Sequence, residues 1–236
     1  KDPLSGFEFG GTIISNNDMG IDSYKPADKP MNYGGNNHGG FETIEGRTYI
    51  FYHRHPNGTN YSRQACAEEI EIVGNKIAQV PLSSCGLNGG PLPAKGEYSA
   101  HIACNLFCEV ENHYTGGMGG NGLWLDARFP IMTQEGSDAD PGTPYILNMV
   151  DTATAGFKSF DFKNVQQITL ITKHYCSGYF EVRTAWDGEV LAEIPVESRN
   201  YWDEFTAEVS IPDGVHDLYL TYRGNGSPAL KSFRFG

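Results

Sequence analysis

The sequence contains no run of about 18 apolar residues. It also contains no stretch of about 12 residues with the 3.6-residue apolar period of an amphipathic helix. The first absence argues against a membrane-spanning helix, because such a helix needs about 20 apolar residues to cross the hydrocarbon layer. The second argues against a helical fold. We therefore expect no membrane partner and a fold built from strands.

Basic residues are scarce. Lys and Arg number 17 against 29 Asp and Glu, which gives a formal net charge of −12. A nucleic-acid partner is excluded on this basis, because phosphate binding requires a basic face. An acidic chain with 13 Tyr and 3 Trp suits neutral sugars better. The alternative is that the charge serves only solubility.

Cysteines are few, odd in number and irregularly spaced. Two of them are four residues apart, without the second pair that a zinc ribbon requires. The pattern leaves room for one disulfide and indicates no disulfide framework. The five are Cys66, Cys85, Cys104, Cys108 and Cys176.

Glycine, proline and aromatic residues are plentiful, with 29 Gly, 13 Pro, 13 Tyr and 13 Phe. In the first half they separate three strand candidates at residues 41–44, 47–53 and 63–72. Glu45-Gly46 is a hairpin turn signal between the first two. Three antiparallel strands of this length are typical of a propeller blade.

The second half alternates apolar and polar residues more regularly. Strand candidates lie at residues 167–173, 179–186, 189–196, 205–211 and 217–222, with Asp187-Gly188 as a hairpin turn. Strands at this spacing indicate a β-sandwich. The glycine run at residues 116–120 marks a connector, so we predict one domain over residues 1–120 and a second over residues 121–236.

Two sets of motifs resemble known families, and together they cover nearly the whole chain. Residues 3–14, 37–41, 49–54 and 62–64 resemble the end of the catalytic domain of family 43 glycoside hydrolases. The sequence of the second of these segments is Asn-His-Gly-Gly-Phe. Residues 145–148, 156–158, 160–162, 194–196, Trp202 and 218–222 resemble family 6 carbohydrate-binding modules.

The resemblance implies an all-β chain that comprises the end of a five-bladed β-propeller and a jelly-roll-like β-sandwich. Family 43 enzymes act on arabinose- and xylose-containing plant polysaccharides and invert the anomeric centre, which requires two carboxyls about 6.5–9.5 Å apart. In the family the three catalytic acids lie on earlier blades, so we assign none of them to this chain. The expected partners are plant cell-wall polysaccharide and the upstream blades of the same enzyme. The expected location is secreted or periplasmic.

In the first region the resemblance singles out His38 and Arg63. The family histidine at the position of His38 lies near the propeller axis, often beside a bound cation, which implies substrate and metal binding, with calcium as the candidate ion. Arg63 could donate to the vicinal hydroxyls of a sugar, because a guanidinium offers five fixed donors. A hydrogen-bonded histidine and a packing or ion-pair arginine are the structural alternatives.

In the second region Trp202 matches the tryptophan that forms one wall of the sugar cleft in family 6 modules. Tyr145 is the candidate for the opposite wall. Aromatic rings suit this task because they cover the C–H faces of a sugar while a few polar groups bind its hydroxyls. The alternative for Trp202 is an ordinary core or rim tryptophan.

The chain also departs from the family pattern. Ala229 and Lys231 stand near the positions where binding members carry an asparagine and an acid, and the usual acidic pair of the module is replaced by Asp126-Ala-Arg128. Three interpretations of the chain therefore stay open. It is part of a glycosidase, a binding module without catalysis, or a sandwich that only braces the propeller.

Overall fold

The computed structural model describes residues 4–15, 38–57, 63–109, 113–115, 122–124, 128–133 and 144–236. Within these ranges the regular elements are β-strands and a single 3-10 turn, Ala100–Ile102. The all-β prediction is confirmed. No helix in the described part of the chain is long and apolar enough to cross a membrane.

The strands before residue 125 are short, apart from β2 and β3. They are β1 (Gly40–Ile44), β2 (Arg47–Arg54), β3 (Gln64–Ile70), β4 (Ile72–Val73), β5 (Lys76–Ile77), β6 (Leu92–Pro93), β7 (Gly96–Ser99), β8 (Asn105–Phe107), β9 (His113–Thr115) and β10 (Gly122–Trp124).

The strands after residue 130 include the longest of the chain. They are β11 (Ile131–Met132), β12 (Ile146–Leu147), β13 (Thr154–Phe162), β14 (Gln167–Arg183), β15 (Ala192–Glu208), β16 (Gly214–Gly226) and β17 (Ala229–Phe235).

Strands β1, β2 and β3 form a three-stranded antiparallel sheet in chain order. The turn between β1 and β2 consists of Glu45 and Gly46, with φ of 52° and 80°. Two positive φ values are what a two-residue hairpin with the right-handed strand twist needs. The predicted hairpin and third strand are thus confirmed.

The second region is a sandwich whose two sheets share the ribbon formed by β14 and β15. The first half of β14 pairs with β17, and its second half pairs with β16. Strand β15 follows β14 along its other edge over nearly its full length. The change of partner occurs at register shifts around His174, whose φ is 86°. A bulge of this kind bends a strand, so one ribbon can serve both sheets.

Phenylalanines from the two sheets meet in the core. Phe157 and Phe160 of β13 contact Phe233 of β17, with ring centroids 4.5 and 6.0 Å apart. All three side chains are fully buried. The inner positions of facing strands therefore interdigitate, as in other sandwiches.

The sandwich also takes strands from residues 92–107. Strand β6 pairs with β13 in parallel, β8 pairs with β13 and β7 pairs with β17, both antiparallel. These strands precede the expected boundary near residue 120. The division into residues 1–120 and 121–236 stays a prediction, while the hydrogen-bonded sheet itself extends back to Leu92.

The three-stranded sheet is joined to the sandwich through Arg54, at the end of β2. Its guanidinium is buried and donates to the backbone carbonyls of Ala103 (2.8 Å) and Cys104, and to Oε1 of Gln64 (2.7 Å). The amide nitrogen of Cys104 in turn donates to the carbonyl of Gly156 in β13. One arginine thus ties the sheet to the body of the sandwich.

Candidate functional site

Trp202 and Tyr145, the two residues predicted to line the sugar cleft, lie in contact. Trp202 is half-buried in β15, and Tyr145 immediately precedes β12. Their ring centroids are 5.0 Å apart and the ring planes meet at 73°. The sequence predicted Trp202 as one wall of the cleft and Tyr145 as the opposite wall, and the two rings form a corner. A corner offers one ring face and one ring edge to a ligand.

Two lysines lie over the Trp202 ring. The Nζ atom of Lys173 is 4.6 Å from its centroid and that of Lys231 is 5.7 Å away. Lys173 is also 5.5 Å from the centroid of Tyr145. An ammonium group within about 6 Å of an aromatic face is attracted to it electrostatically. The sequence placed Lys231 near the site, but it gave no signal for Lys173, which comes from the bulge of β14.

A shallow groove of about 570 Å³ adjoins this corner and shares Lys173 with it. Arg199 in the groove is ion-paired with Asp203 (Nε–Oδ2 2.7 Å) and with Glu197. The pairing with Arg199 lowers the pKa of Asp203 below its ordinary value. Lining residues are Lys173, His174, Tyr175, Ser198, Arg199 and Asn200.

The candidates of the first region, His38 and Arg63, lie around two further histidines. The ring centroid of His38 is 4.5 Å from that of His53, which is 5.0 Å from that of His55. Positive charge on Arg63 acts on His55. His53 lies in β2 and His55 follows its last residue by one position, and this i, i+2 spacing was the available sequence signal. His38 and Arg63 are exposed.

His55 is held in its neutral form. Burial, followed by the neighbouring His53 and Arg63, lowers its pKa to about 4. A buried imidazole resists protonation because the charged form loses its hydration, and nearby positive charge adds to that cost. His55 therefore presents a neutral imidazole at pH 7.

The buried acid of this region, Glu68, serves structure. Tyr52 donates to its Oε1 atom (3.0 Å), and Ser83 donates to both carboxylate oxygens through its backbone N–H (2.8 Å) and its hydroxyl (2.5 Å). Burial raises the pKa of Glu68 above its ordinary value. Because Glu68 is 5% exposed and surrounded by protein donors, it is not placed to act on a substrate.

The described residues provide no metal centre. Calcium binds six to eight oxygen ligands, mainly carboxylates and carbonyls. No three His, Cys, Asp or Glu side chains in this part of the chain are grouped so that they could hold an ion. Asp126, from the acidic-pair position, lies outside the described residues. The metal role of His38 and the calcium expectation stay predictions. The described cysteines are all free, so they contain no disulfide.

Residues 131–236 match the family model for carbohydrate binding module family 6. Over 234 residues the chain is 56% identical to a protein named xylosidase/arabinosidase from Thermoclostridium stercorarium. The match covers 99% of this chain and 49% of that protein. The chain thus spans about half the length of the curated relative it matches.

Two solved structures are similar in fold. A glycoside hydrolase family 43 arabinoxylan arabinofuranohydrolase from Bacillus subtilis, solved with cellotetraose, has a TM-score of 0.54 at 17% identity. The match covers 99% of this chain and 45% of that one. A CBM6 structure from Clostridium stercorarium, solved with cellobiose, has a TM-score of 0.47 at 16% identity and covers 63% of this chain and 98% of that one. The chain is thus similar over nearly its whole length to a protein named xylosidase/arabinosidase, and its residues 131–236 match the family model for carbohydrate binding module family 6.

Proposed function

We propose that the chain is part of a secreted or periplasmic family 43 glycosidase that acts on arabinoxylan, xylan or arabinan. The sandwich binds the polysaccharide, and the three-stranded sheet is the last blade of the catalytic propeller. The observation that carries the binding role is the corner of Trp202 and Tyr145 on a family 6 module. The name of the Thermoclostridium relative and the fold of the Bacillus enzyme support the enzymatic context.

The exposed apolar residues of the first region support packing against further blades. Phe7 and Phe9 are 81% and 90% exposed, and Phe41 on the edge strand β1 is 58% exposed. The backbone of β1 on the side away from β2 pairs with no described strand. An open edge beside large exposed apolar side chains is a surface that another element covers. In this proposal the covering element is the preceding blade, and His38 and Arg63 then face the sugar site.

Catalysis in this proposal depends on acids outside the chain. Glu42 and Glu69 are exposed, Glu69 is ion-paired with Arg47, and Glu68 is buried. Asp18 and Asp22 lie outside the described residues. None of these stands in a motif of the family's catalytic acids. We therefore expect the chain to bind sugar without hydrolysing it.

A second candidate function is bracing of the propeller, and the Arg54 contacts favour it. Arg54 holds the blade to the sandwich through backbone carbonyls of residues 103 and 104. The amide of Met132 also donates to the carbonyl of Pro56 (2.9 Å). These contacts would orient the module whether or not it binds sugar.

Isothermal titration of the chain with arabinoxylan oligosaccharides separates the two functions. We expect dissociation constants at or below the millimolar range, lost in Trp202→Ala. The matched control is Trp186→Ala, because Trp186 is also half-buried but packs against Phe107 and Tyr219 with centroids 5.1 and 5.8 Å away. Binding that survives Trp202→Ala would overturn the assignment of the site to Trp202, and no binding by the parent chain would overturn the binding role and leave bracing.

A further inference from the structure

The Trp202 corner carries positive charge that neutral sugars do not require. Lys173 from β14 and Lys231 from β17 both place an ammonium group over the Trp202 ring. Both lysines are half-buried. They reach the ring from two strands that pair with each other, so the sheet itself brings the charges together. Two like charges at one ring repel each other unless an anion lies between them.

The acids nearest along the strands are already engaged. Asp203 is paired with Arg199 (2.7 Å), and Glu204 is paired with Arg234 (Nη2–Oε2 2.5 Å). Across the residues that the structure describes, neither Lys173 nor Lys231 forms a side-chain hydrogen bond or an ion pair. Among the described residues, this corner therefore combines two ammonium groups that have no acidic partner with an aromatic platform, in a chain of net charge −12.

We infer that the Trp202 corner binds a saccharide that carries a carboxylate, such as a uronic acid residue on a neutral backbone. This inference rests on the proposed carbohydrate-binding function and adds the charge of the ligand. The sugar ring would stack on Trp202, and the carboxylate would accept charge-assisted hydrogen bonds from the two ammonium groups. Lysine suits this role because its flexible stem lets the charge move from the ring to a bound anion.

The competing interpretation is that the lysines cover the ring and prevent stacking. Their stems could occupy the Trp202 face as a packed apolar cover, since long charged side chains bury their methylenes along apolar surface. In that case the chain would still bind no neutral sugar after the lysine charges are removed. It would bind neutral sugar once the lysine stems are removed as well. This outcome is included in the test below.

The test is titration of the full chain with a xylotriose that carries one glucuronic acid branch and with the methyl ester of the same oligosaccharide. The two ligands differ by one charge and one methyl group. We expect the acid to bind about tenfold or more tightly than the ester, because hydrogen bonds to charged groups are the stronger class. We also expect 0.5 M NaCl to weaken binding of the acid, and to leave the ester unaffected, since salt screens exposed charges.

Charge-removing variants assign the effect to the two lysines. Lys173→Met with Lys231→Met retains a stem of similar length, and Lys95→Met is the control at an exposed lysine between β6 and β7. We expect the double variant to bind acid and ester equally and the control to match the parent chain. If the double variant fails to fold, the inference is still tested on the parent chain, by its relative affinity for acid and ester and by the effect of salt on binding of the acid.

Equal binding of acid and ester by the parent chain would overturn the inference and leave the proposed sugar-binding function intact. Neutral binding gained only in Lys173→Ala with Lys231→Ala would overturn it in favour of a covered ring. No binding by the parent chain or by any variant would overturn both the inference and the proposed binding role.

Discussion

At the scale of single residues, Arg54 makes the contacts that relate the two regions. A buried guanidinium is stable only where its donors find acceptors, because an unpaired buried charge is costly. Backbone carbonyls of Ala103 and Cys104 supply two of these acceptors from the sandwich. Arg54 thus contributes several hydrogen bonds to the junction, in addition to the one from the Met132 amide to the Pro56 carbonyl.

Replacement of Arg54 by methionine should destabilise the chain by about 2–6 kcal/mol, because two buried carbonyls lose a donor at about 1–3 kcal/mol each. The free energy of unfolding, from urea denaturation, measures the effect. Arg47→Met on the same strand is the control. Arg47 forms an exposed ion pair with Glu69, so little change is expected there. Equal effects of the two substitutions would contradict the assigned role of Arg54.

His55 gives the chain a pH dependence of known sign. Its pKa is about 4 in the folded chain and near 6.5 when exposed. Between these values the unfolded chain binds more protons, so stability present at pH 7 is lost as the pH falls from 6.5 to 4, by roughly 2–3 kcal/mol. Glu68, whose pKa is raised, contributes with the opposite sign above its ordinary pKa.

Urea midpoints of the chain and of His55→Gln at pH 7.5 and 4.5 isolate this effect. The contribution of Glu68 is common to both proteins and cancels in the difference. The variant should lose clearly less stability on acidification than the parent chain. If the parent chain and His55→Gln lose the same stability between pH 7.5 and pH 4.5, His55 is protonated without cost in the folded chain.

Sequence motifs singled out Trp202, Tyr145, His38 and Arg63 as candidates, because rings and charged groups in family-like segments are visible without a structure. They did not locate Lys173. Its approach to Trp202 depends on where the β14 bulge aims the side chain, and a bulge is set by register between strands. Arg54 was missed for a related reason, since an arginine in a strand gives no sign of whether its acceptors lie in another sheet.

At the scale of elements, the ribbon of β14 and β15 determines the sandwich. The sequence predicted separate strands at residues 167–173 and 179–186, and the structure joins them into the 17-residue β14. The junction contains His174, whose φ of 86° is unusual for a residue with a Cβ. A turn signal from glycine or proline is absent at that position, so the continuous but bent strand could not be predicted from composition.

Glycines allow β14 and β16 to approach each other closely beyond the bend. A Cβ at Gly178 would lie 2.0 Å from the carbonyl oxygen of Arg223. We predict that Gly178→Ala destabilises the sandwich by about 1–3 kcal/mol or more, because the backbone of β16 must shift. Thermal unfolding followed by circular dichroism measures this loss.

Gly40→Ala in β1 is the matched control for that substitution. A Cβ at Gly40 meets no atom within 4 Å, so the melting temperature should stay close to that of the parent chain. A Gly178→Ala protein as stable as Gly40→Ala would mean that β14 and β16 are less closely paired than the structure indicates.

At the scale of the whole molecule, the chain combines a closed sandwich with an open sheet. The sandwich buries its aromatic core completely, whereas Phe7, Phe9 and Phe41 of the first region stay exposed. Both edge strands of this sheet, β1 and β3, pair with no further described strand. Three strands are independently stable only when their apolar face is covered. The structure therefore fits a chain whose first region is completed by further protein.

The need for further protein can be tested by fusing this chain to the part of the Thermoclostridium relative that it does not cover. We predict that the 236-residue chain alone releases no arabinose or xylose from arabinoxylan, and that the fusion does. Reducing-sugar release is the measurement. The reverse fusion order serves as the control, because it leaves the same sequences present but joins them at the wrong ends. Hydrolysis by the isolated chain would contradict the assignment of the catalytic acids to other blades.

Fluorine NMR of the chain labelled with 5-fluorotryptophan is the decisive test of saccharide binding at Trp202. The chain contains three tryptophans, so three signals are expected, assigned by substitution of each in turn. On addition of arabinoxylan oligosaccharides, either neutral or bearing a uronic acid, we expect the Trp202 signal to shift and the Trp186 signal to stay unchanged. Shifts confined to another tryptophan, or no shift with any oligosaccharide, would contradict saccharide binding at Trp202.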